Sequence, residues 1–199
     1  MRILTLAALL TVSTLTVSTA AQAAEWKAPE RVVHYSISGT NPLALYQSIG
    51  KRGPVISGNR RTIAHTTWDL KWRRDYQKWG DGCVLASALP FLTITNTLPK
   101  PKAKLAGKTK QSWQAFAKGI KIHERQHGAI IREMTQSIIN RTVGQTTQAD
   151  TANCKNLRAR VLKTVQSTMD ESAKKHRQFD KVEMGKGGVI RRSIVRLVE

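Results

Sequence analysis

The chain has 199 residues, with 33 Lys and Arg against 13 Asp and Glu, which gives a formal net charge of +20 at pH 7. This length favours a single domain, and so basic a balance favours anionic partners such as acidic lipid headgroups or cell-wall polymers. The basic residues are spread along the chain and aromatic residues do not interleave with them, which argues against a nucleic-acid-binding function.

Residues 1–23 have the pattern of a secretory signal peptide. Arg2 is their only charged residue, an apolar stretch begins at Ile3, and small residues surround Ala21-Gln22-Ala23. The apolar stretch is interrupted by Thr and Ser and is too short for a good membrane span. We therefore expect an exported protein, periplasmic or extracellular, whose residues 24–199 form one domain.

Alternation of apolar residues, β-branched residues and turn signals predict three strands and one short helix in the first hundred residues. The strands are expected at residues 31–38, 62–72 and 82–98, and the helix at residues 41–54, with Asn41 as its N-cap and Pro42 in its first turn. The lysine-rich segment that follows, residues 98–110, contains two prolines and is expected to be a solvated loop.

From Ser112 the apolar residues change to the spacing of one helix face, which predicts a helix to about Arg141. A polar, turn-like segment, residues 144–153, separates it from a second predicted helix that runs from near Asn156 towards Phe179. The tail fits a covering strand or a short helix. The predicted fold is α+β, with a small, mostly antiparallel sheet packed on two long helices.

The first long helix contains the motif His123-Glu124-x-x-His127. The two histidines are four residues apart and share a helix face, which continues the apolar stripe from Ile120 to Ile131. Polar groups buried there without partners would cost several kcal/mol, whereas two imidazoles can bind Zn²⁺ at about 2.0–2.1 Å. Glu124 is then placed to act on a water at the metal. The alternative is a structural helix with a hydrogen-bonded histidine and a surface glutamate.

A catalytic zinc usually has three protein ligands, so a third ligand is needed. The second helix offers five candidates, and spacing leaves the choice among them open: Asp170, Glu171, His176, Asp180 and Glu183.

Cys83 and Cys154 are the two cysteines of the chain. An even pair in an exported protein predicts a disulfide, and closing a loop of about 70 residues stabilises the fold by about 4 kcal/mol in the chain-entropy model. Two buried free thiols are the alternative.

In combination, these features resemble a bacterial family of predicted secreted zinc-dependent proteases, otherwise described only as a domain of unknown function. The resemblance covers nearly the whole mature chain, and the order of cysteine, H-E-x-x-H and cysteine is more specific than the zinc motif alone. The matching positions are Tyr35-x-Ile37-x-Gly39, Gly53-Pro54, Trp68, Trp72, Gly82-Cys83, His123-Glu124-x-x-His127 and Cys154. The resemblance implies a zincin-like metallopeptidase with a Cys83–Cys154 bridge.

The family pattern near the C-terminus resembles Y-D-x-x-T-x-H-G. Here the aspartate is Asp180, while Phe179, Glu183 and Gly185 stand at the tyrosine, threonine and histidine positions. If that histidine is the family's third ligand, this chain needs Asp180, Glu183 or His176 instead, and we predict Asp180. The same departure leaves room for a catalytically inactive member.

The predicted function is that of a secreted zinc-dependent metallopeptidase, with zinc on His123, His127 and Asp180 and with Glu124 as general base. The substrate is an unidentified peptide or protein. The alternative is a non-catalytic, basic module that binds an anionic component of the cell envelope, lipid or wall polymer, and whose metal site is structural or lost.

Overall fold

The computed structural model describes residues 26–56 and 58–199, so the predicted signal peptide lies outside the described residues. Four strands and four helices follow one another in this part of the chain. They are β1 (Glu30–Ile37), α1 (Pro42–Arg52), β2 (His65–Trp79), β3 (Gly82–Pro101), α2 (Gly107–Thr142), β4 (Thr146–Thr147), α3 (Lys155–Met184) and α4 (Val189–Val198). Among the described helices, none combines the length and the apolar character needed to cross a bilayer.

Strand β3 is the centre of the sheet. It pairs with β2 and β4 in antiparallel fashion and with β1 in parallel, in the order β1-β3-β2. The long helices α2 and α3 pack against each other, and α2 lies on the sheet. The predicted α+β fold, a mostly antiparallel sheet with two long helices, is confirmed.

The first helix forms as its sequence predicts. Asn41 caps α1, because its side chain accepts a hydrogen bond from the backbone N–H of Ala44 at 2.9 Å, and Pro42 occupies the first turn.

Strands β2 and β3 are longer than predicted. β2 continues to Trp79 and turns through Gly80, whose φ of 56° is left-handed and suits glycine. β3 continues to Pro101, because β1 pairs with its last residues up to the Ile37–Pro101 pair. The lysine-rich loop is therefore confined to residues 102–106, and the prediction of a loop over residues 98–110 was wrong at both ends.

The second half of the chain contains two elements that the sequence left open or missed. β4 pairs with the start of β3 inside the segment predicted as a turn. The tail forms the helix α4 and not a covering strand, because Ile190 and Leu197, seven residues apart, share one helix face and are both buried in the core.

The bridge Cys83–Cys154 joins β3 to the start of α3, with its Cα atoms 5.8 Å apart. The predicted disulfide is confirmed. The carboxylate of Asp150 caps the same end of α3, since it accepts hydrogen bonds from the backbone N–H groups of Asn156 and Leu157 at 3.0 and 2.9 Å.

The fully buried apolar residues of α3 lie near this bridge. Leu157 and Val161 are buried beside the two cysteines, whereas the buried residues further along, Thr168 and Ser172, are polar. Val165 and Met169 are partly buried against the core cluster that includes Ile131 of α2, so the second half of α3 packs through both polar and apolar side chains.

Candidate metal centre

Three of the predicted site residues converge where the last turns of α3 lie beside the middle of α2. The Oδ1 atom of Asp180 lies 3.2 Å from Nε2 of His123 and 3.0 Å from Nε2 of His127. The two Nε2 atoms are 3.2 Å apart. His123, His127 and Asp180, which we call the donor group, have a geometry that could hold a metal ion. Asp180 is the residue of the second helix that we predicted as the third ligand.

The separations fit a tetrahedral ion. Bonds of about 2.0–2.1 Å in a tetrahedral zinc site place neighbouring ligand atoms about 3.3 Å apart. Two imidazole nitrogens and a carboxylate oxygen are also a donor set that zinc accepts.

The protons on the two Nε2 atoms also favour a cation at this position. Oδ1 of Asp180 can accept from both Nε2–H groups, but then the two N–H groups of His123 and His127 face each other across 3.2 Å. A cation between the three atoms removes this conflict, because each atom then presents a lone pair.

His176 lies behind His127 rather than among the three donors. Its Nδ1 is 2.7 Å from Nδ1 of His127, so one of the two nitrogens donates and the other accepts. Burial lowers the pKa of His176 to about 4, and the charge of His127 adds to this effect while that of Asp180 opposes it. His176 is therefore neutral near pH 7. When its Nδ1 accepts from Nδ1–H of a neutral His127, Nε2 of His127 carries no proton and can bind a metal.

Phe179 forms an apolar wall beside both histidines. Its ring stacks on His123 at a centroid distance of 4.7 Å and meets His127 edge-on at 5.2 Å. Nδ1 of His123 is buried, and no hydrogen-bond partner for it exists among the described residues. Oε2 of Glu183 lies 4.0 Å from that nitrogen, so Glu183, an alternative third ligand, faces the ring from the side away from the donor group.

Asp180 opens the donor group to solvent. Its side chain is 50% exposed, against 9% for His123 and 12% for His127. Partial burial alone would raise the pKa of Asp180, but the hydrogen bonds and charges of the two histidines outweigh it and hold the pKa well below its ordinary value. The carboxylate is therefore ionised and available as a ligand at neutral pH.

Glu124 points to the sheet. It is 5% exposed, and its Oε2 accepts a hydrogen bond of 2.6 Å from Oγ1 of Thr66 on β2. The same hydroxyl also lies 2.8 Å from Oδ1 of Asn96 and 3.2 Å from the backbone carbonyl oxygen of Glu124, so three acceptors surround its single hydrogen. The alternative of a surface glutamate is wrong, and Glu124 is held at the contact between α2 and the sheet.

Thr66 and Asn96 were not among the predicted site residues. They are cross-strand partners in the antiparallel pair of β2 and β3, and both carry polar side chains on the face towards α2. The sequence signal is a polar residue in a position where strand alternation demands an apolar one, but only the pairing register shows that the two residues meet.

The remaining third-ligand candidates lie elsewhere. Glu171 forms an ion pair with Arg141 at 2.8 Å, and Asp170 accepts a hydrogen bond from Gln166 at 2.9 Å. At Gly185, the position of the histidine in the resembled family pattern, an added Cβ would lie 2.7 Å from the carbonyl oxygen of Lys181. A side chain at this position therefore requires a shift of the backbone at the end of α3.

A family model described as "Bacterial protein of unknown function (DUF922)" matches residues 32–188. The matched region runs from β1 to the start of α4 and includes both cysteines, the H-E-x-x-H motif and Asp180. The curated proteins contain no match to the chain, and neither do the solved structures.

Proposed function

The chain belongs to this family of bacterial proteins of unknown function, and we propose that it is an exported zinc-dependent peptidase in which His123, His127 and Asp180 hold the metal and Glu124 acts as general base. The observation that carries the proposal is the convergence of two imidazole nitrogens and one carboxylate oxygen within 3.0–3.2 Å of one another. The position of the histidines in an H-E-x-x-H motif on a helix favours peptide hydrolysis over other uses of zinc.

Zinc bound in such a site supplies Lewis acidity, which polarises a peptide carbonyl and lowers the pKa of water. The protein's own contribution is to orient the ligands. His176 fixes the tautomer of His127, and Phe179 restricts both imidazole rings. The exposed side of Asp180 leaves an approach for substrate and water.

Glu124 moves the proton. Thr66 binds Oε2 of Glu124, while the hydrogen bonds of the described residues include none to Oε1. That oxygen is available to accept a proton from the attacking water and to return it to the leaving amine. Glu124 follows His123 directly on α2 and is not one of the three metal donors.

The test uses the mature protein, residues 24–199, with a quenched-fluorescence peptide library. Glu124→Gln should keep its zinc, because Glu124 is not a donor, and should lose turnover by about 10²-fold or more, the usual contribution of a general base. The matched control is Glu133→Gln on the same helix, since Glu133 is an exposed partner of Lys175. Cleavage by Glu124→Gln at the rate of the control would contradict the mechanism.

A further inference from the structure

The chain ends in a surface where cations and apolar side chains are mixed. We call the exposed residues Lys186, Val189, Arg191, Arg192, Val195 and Arg196 the C-terminal basic face. Val189 and Val195 are 48% and 40% exposed. The three arginines and Val195 line one shallow groove on the outer side of α4.

The orientation of α4 is fixed from its other side. Ile190 and Leu197 are buried in the core, and Ser193 packs so closely on α2 that a Cβ added at Gly119 would lie 3.1 Å from its Oγ. The arginines are therefore held outward by a docked helix, and their positions do not depend on a free tail.

The cations of this face lack acidic partners. Among the described residues, no carboxylate oxygen lies within 4.0 Å of the guanidinium groups of Arg191, Arg192 or Arg196. Arg192 contacts the backbone carbonyl of Gly187, and Glu199, the acid that lines the groove, lies beyond that distance. Four cations on one face, none of them in an ion pair with a described residue, produce a positive potential that suits an anionic partner.

We propose that the C-terminal basic face binds the surface of an anionic phospholipid bilayer. The charge alone would suit any polyanion, but Val189 and Val195 stand exposed among the arginines. Apolar side chains in this arrangement can enter the boundary between headgroups and acyl chains, as in interfacial helices, whereas a soluble polyanion offers them no apolar environment. This inference goes beyond the proposed peptidase activity and does not depend on it.

The size of the effect follows from the charges. Each Lys or Arg near an anionic bilayer contributes roughly a fivefold increase in partitioning at physiological salt. Replacing Arg191, Arg192 and Arg196 with alanine should therefore lower the partition coefficient roughly 100-fold.

The experiment is co-sedimentation of the mature protein with two kinds of vesicle, pure phosphatidylcholine and phosphatidylcholine with about one third phosphatidylglycerol. The anionic lipid gives the second kind a negative surface potential. The wild-type protein should bind the anionic vesicles only, and high salt should weaken this binding. The triple arginine variant should lose it. Binding to neutral vesicles at the same level would overturn the proposal.

The matched control removes three charges from the opposite side of the molecule: Arg31→Ala, Lys71→Ala and Arg73→Ala. These exposed residues pair with Thr95, Phe91 and Leu89 of β3, whose side chains alternate with the buried ones. The control should bind anionic vesicles nearly as the wild type does. Equal losses in both triple variants would show that net charge alone drives binding, and the assigned face would be wrong.

A second pair of changes separates a bilayer from a polymer. Val189→Ser with Val195→Ser should weaken binding to anionic vesicles and leave binding to soluble polyphosphate unchanged. Vesicle binding unaffected by these changes would assign the face to a polyanion such as a wall polymer, and the bilayer proposal would be rejected. Thermal unfolding of each variant verifies that α4 remains folded.

Discussion

Replacing Thr66 with valine removes the hydroxyl that donates to the buried carboxylate of Glu124 while nearly preserving the volume of the side chain. A hydrogen bond to a charged group contributes about 1.5–3 kcal/mol to stability, and the loss is large when the acceptor stays buried without a partner. Glu124 is 5% exposed, so water has little access to replace the 2.6 Å bond. We expect Thr66→Val to lower the free energy of unfolding by about 2 kcal/mol.

The assay is urea denaturation followed by circular dichroism, with two comparison variants. Thr66→Ser keeps the hydroxyl and should recover most of the stability. Thr67→Val is the matched control on the same strand, because the Thr67 hydroxyl is exposed and lies 3.5 Å from the carbonyl oxygen of Thr95. Surface changes typically alter the free energy of unfolding by less than about 0.5 kcal/mol. If the free energies of unfolding of Thr66→Val and Thr67→Val differ by less than this, Thr66 does not hold Glu124 in place, and the proposed positioning of the general base is wrong.

Three further predictions concern stability. Replacing Cys83 and Cys154 with alanine should cost about 4 kcal/mol in the chain-entropy model, since the bridge spans 71 residues; thermal unfolding equal to that of the wild type would contradict this. In the metal-free protein the folded-state pKa of His176, about 4, lies below its value of 6.5 in the unfolded chain, so the unfolded state binds more protons between these values. The free energy of unfolding should therefore fall as the pH drops from 6.5 to 4, and His176→Gln should flatten this part of the profile; an unchanged slope would refute the assignment. Gly185→Ala and Gly185→His should both lower the unfolding midpoint, because a Cβ would lie 2.7 Å from the carbonyl oxygen of Lys181. A Gly185→His variant that gains zinc affinity without loss of stability would contradict the structure.

The sequence predicts elements well where the information is local. The stripe from Trp113 to Ile138 specifies a helix face, and Asn41 with Pro42 specifies a helix start. The end of β3 was missed because its last residues are extended only by pairing with β1, which is more than sixty residues earlier. The tail was ambiguous because a short segment of mixed arginines and aliphatic residues fits both periods, and burial of Ile190 and Leu197 decides for the helix.

The candidate site likewise contains residues that the sequence indicates and residues that only the packing of the elements brings together. His123, Glu124 and His127 are visible in a five-residue motif, and the pattern of the resembled family indicates Asp180. The positions of His176 and Thr66 depend on how α3 and β2 pack around α2, which no local signal reports. Even so, a polar residue at an inward-facing strand position and a histidine four residues before Asp180 are features that a search for second-sphere partners can use.

Metal content tests the central claim most directly. Elemental analysis of the mature protein, purified without chelator, should find about one zinc per chain, as expected for a site with three protein ligands. His123→Ala and Asp180→Ala should lose it, while Asp170→Ala, a carboxylate on the same helix that is bound to Gln166, should retain it. No stoichiometric metal even after zinc is supplied, or equal zinc in His123→Ala and the wild type, would contradict the account.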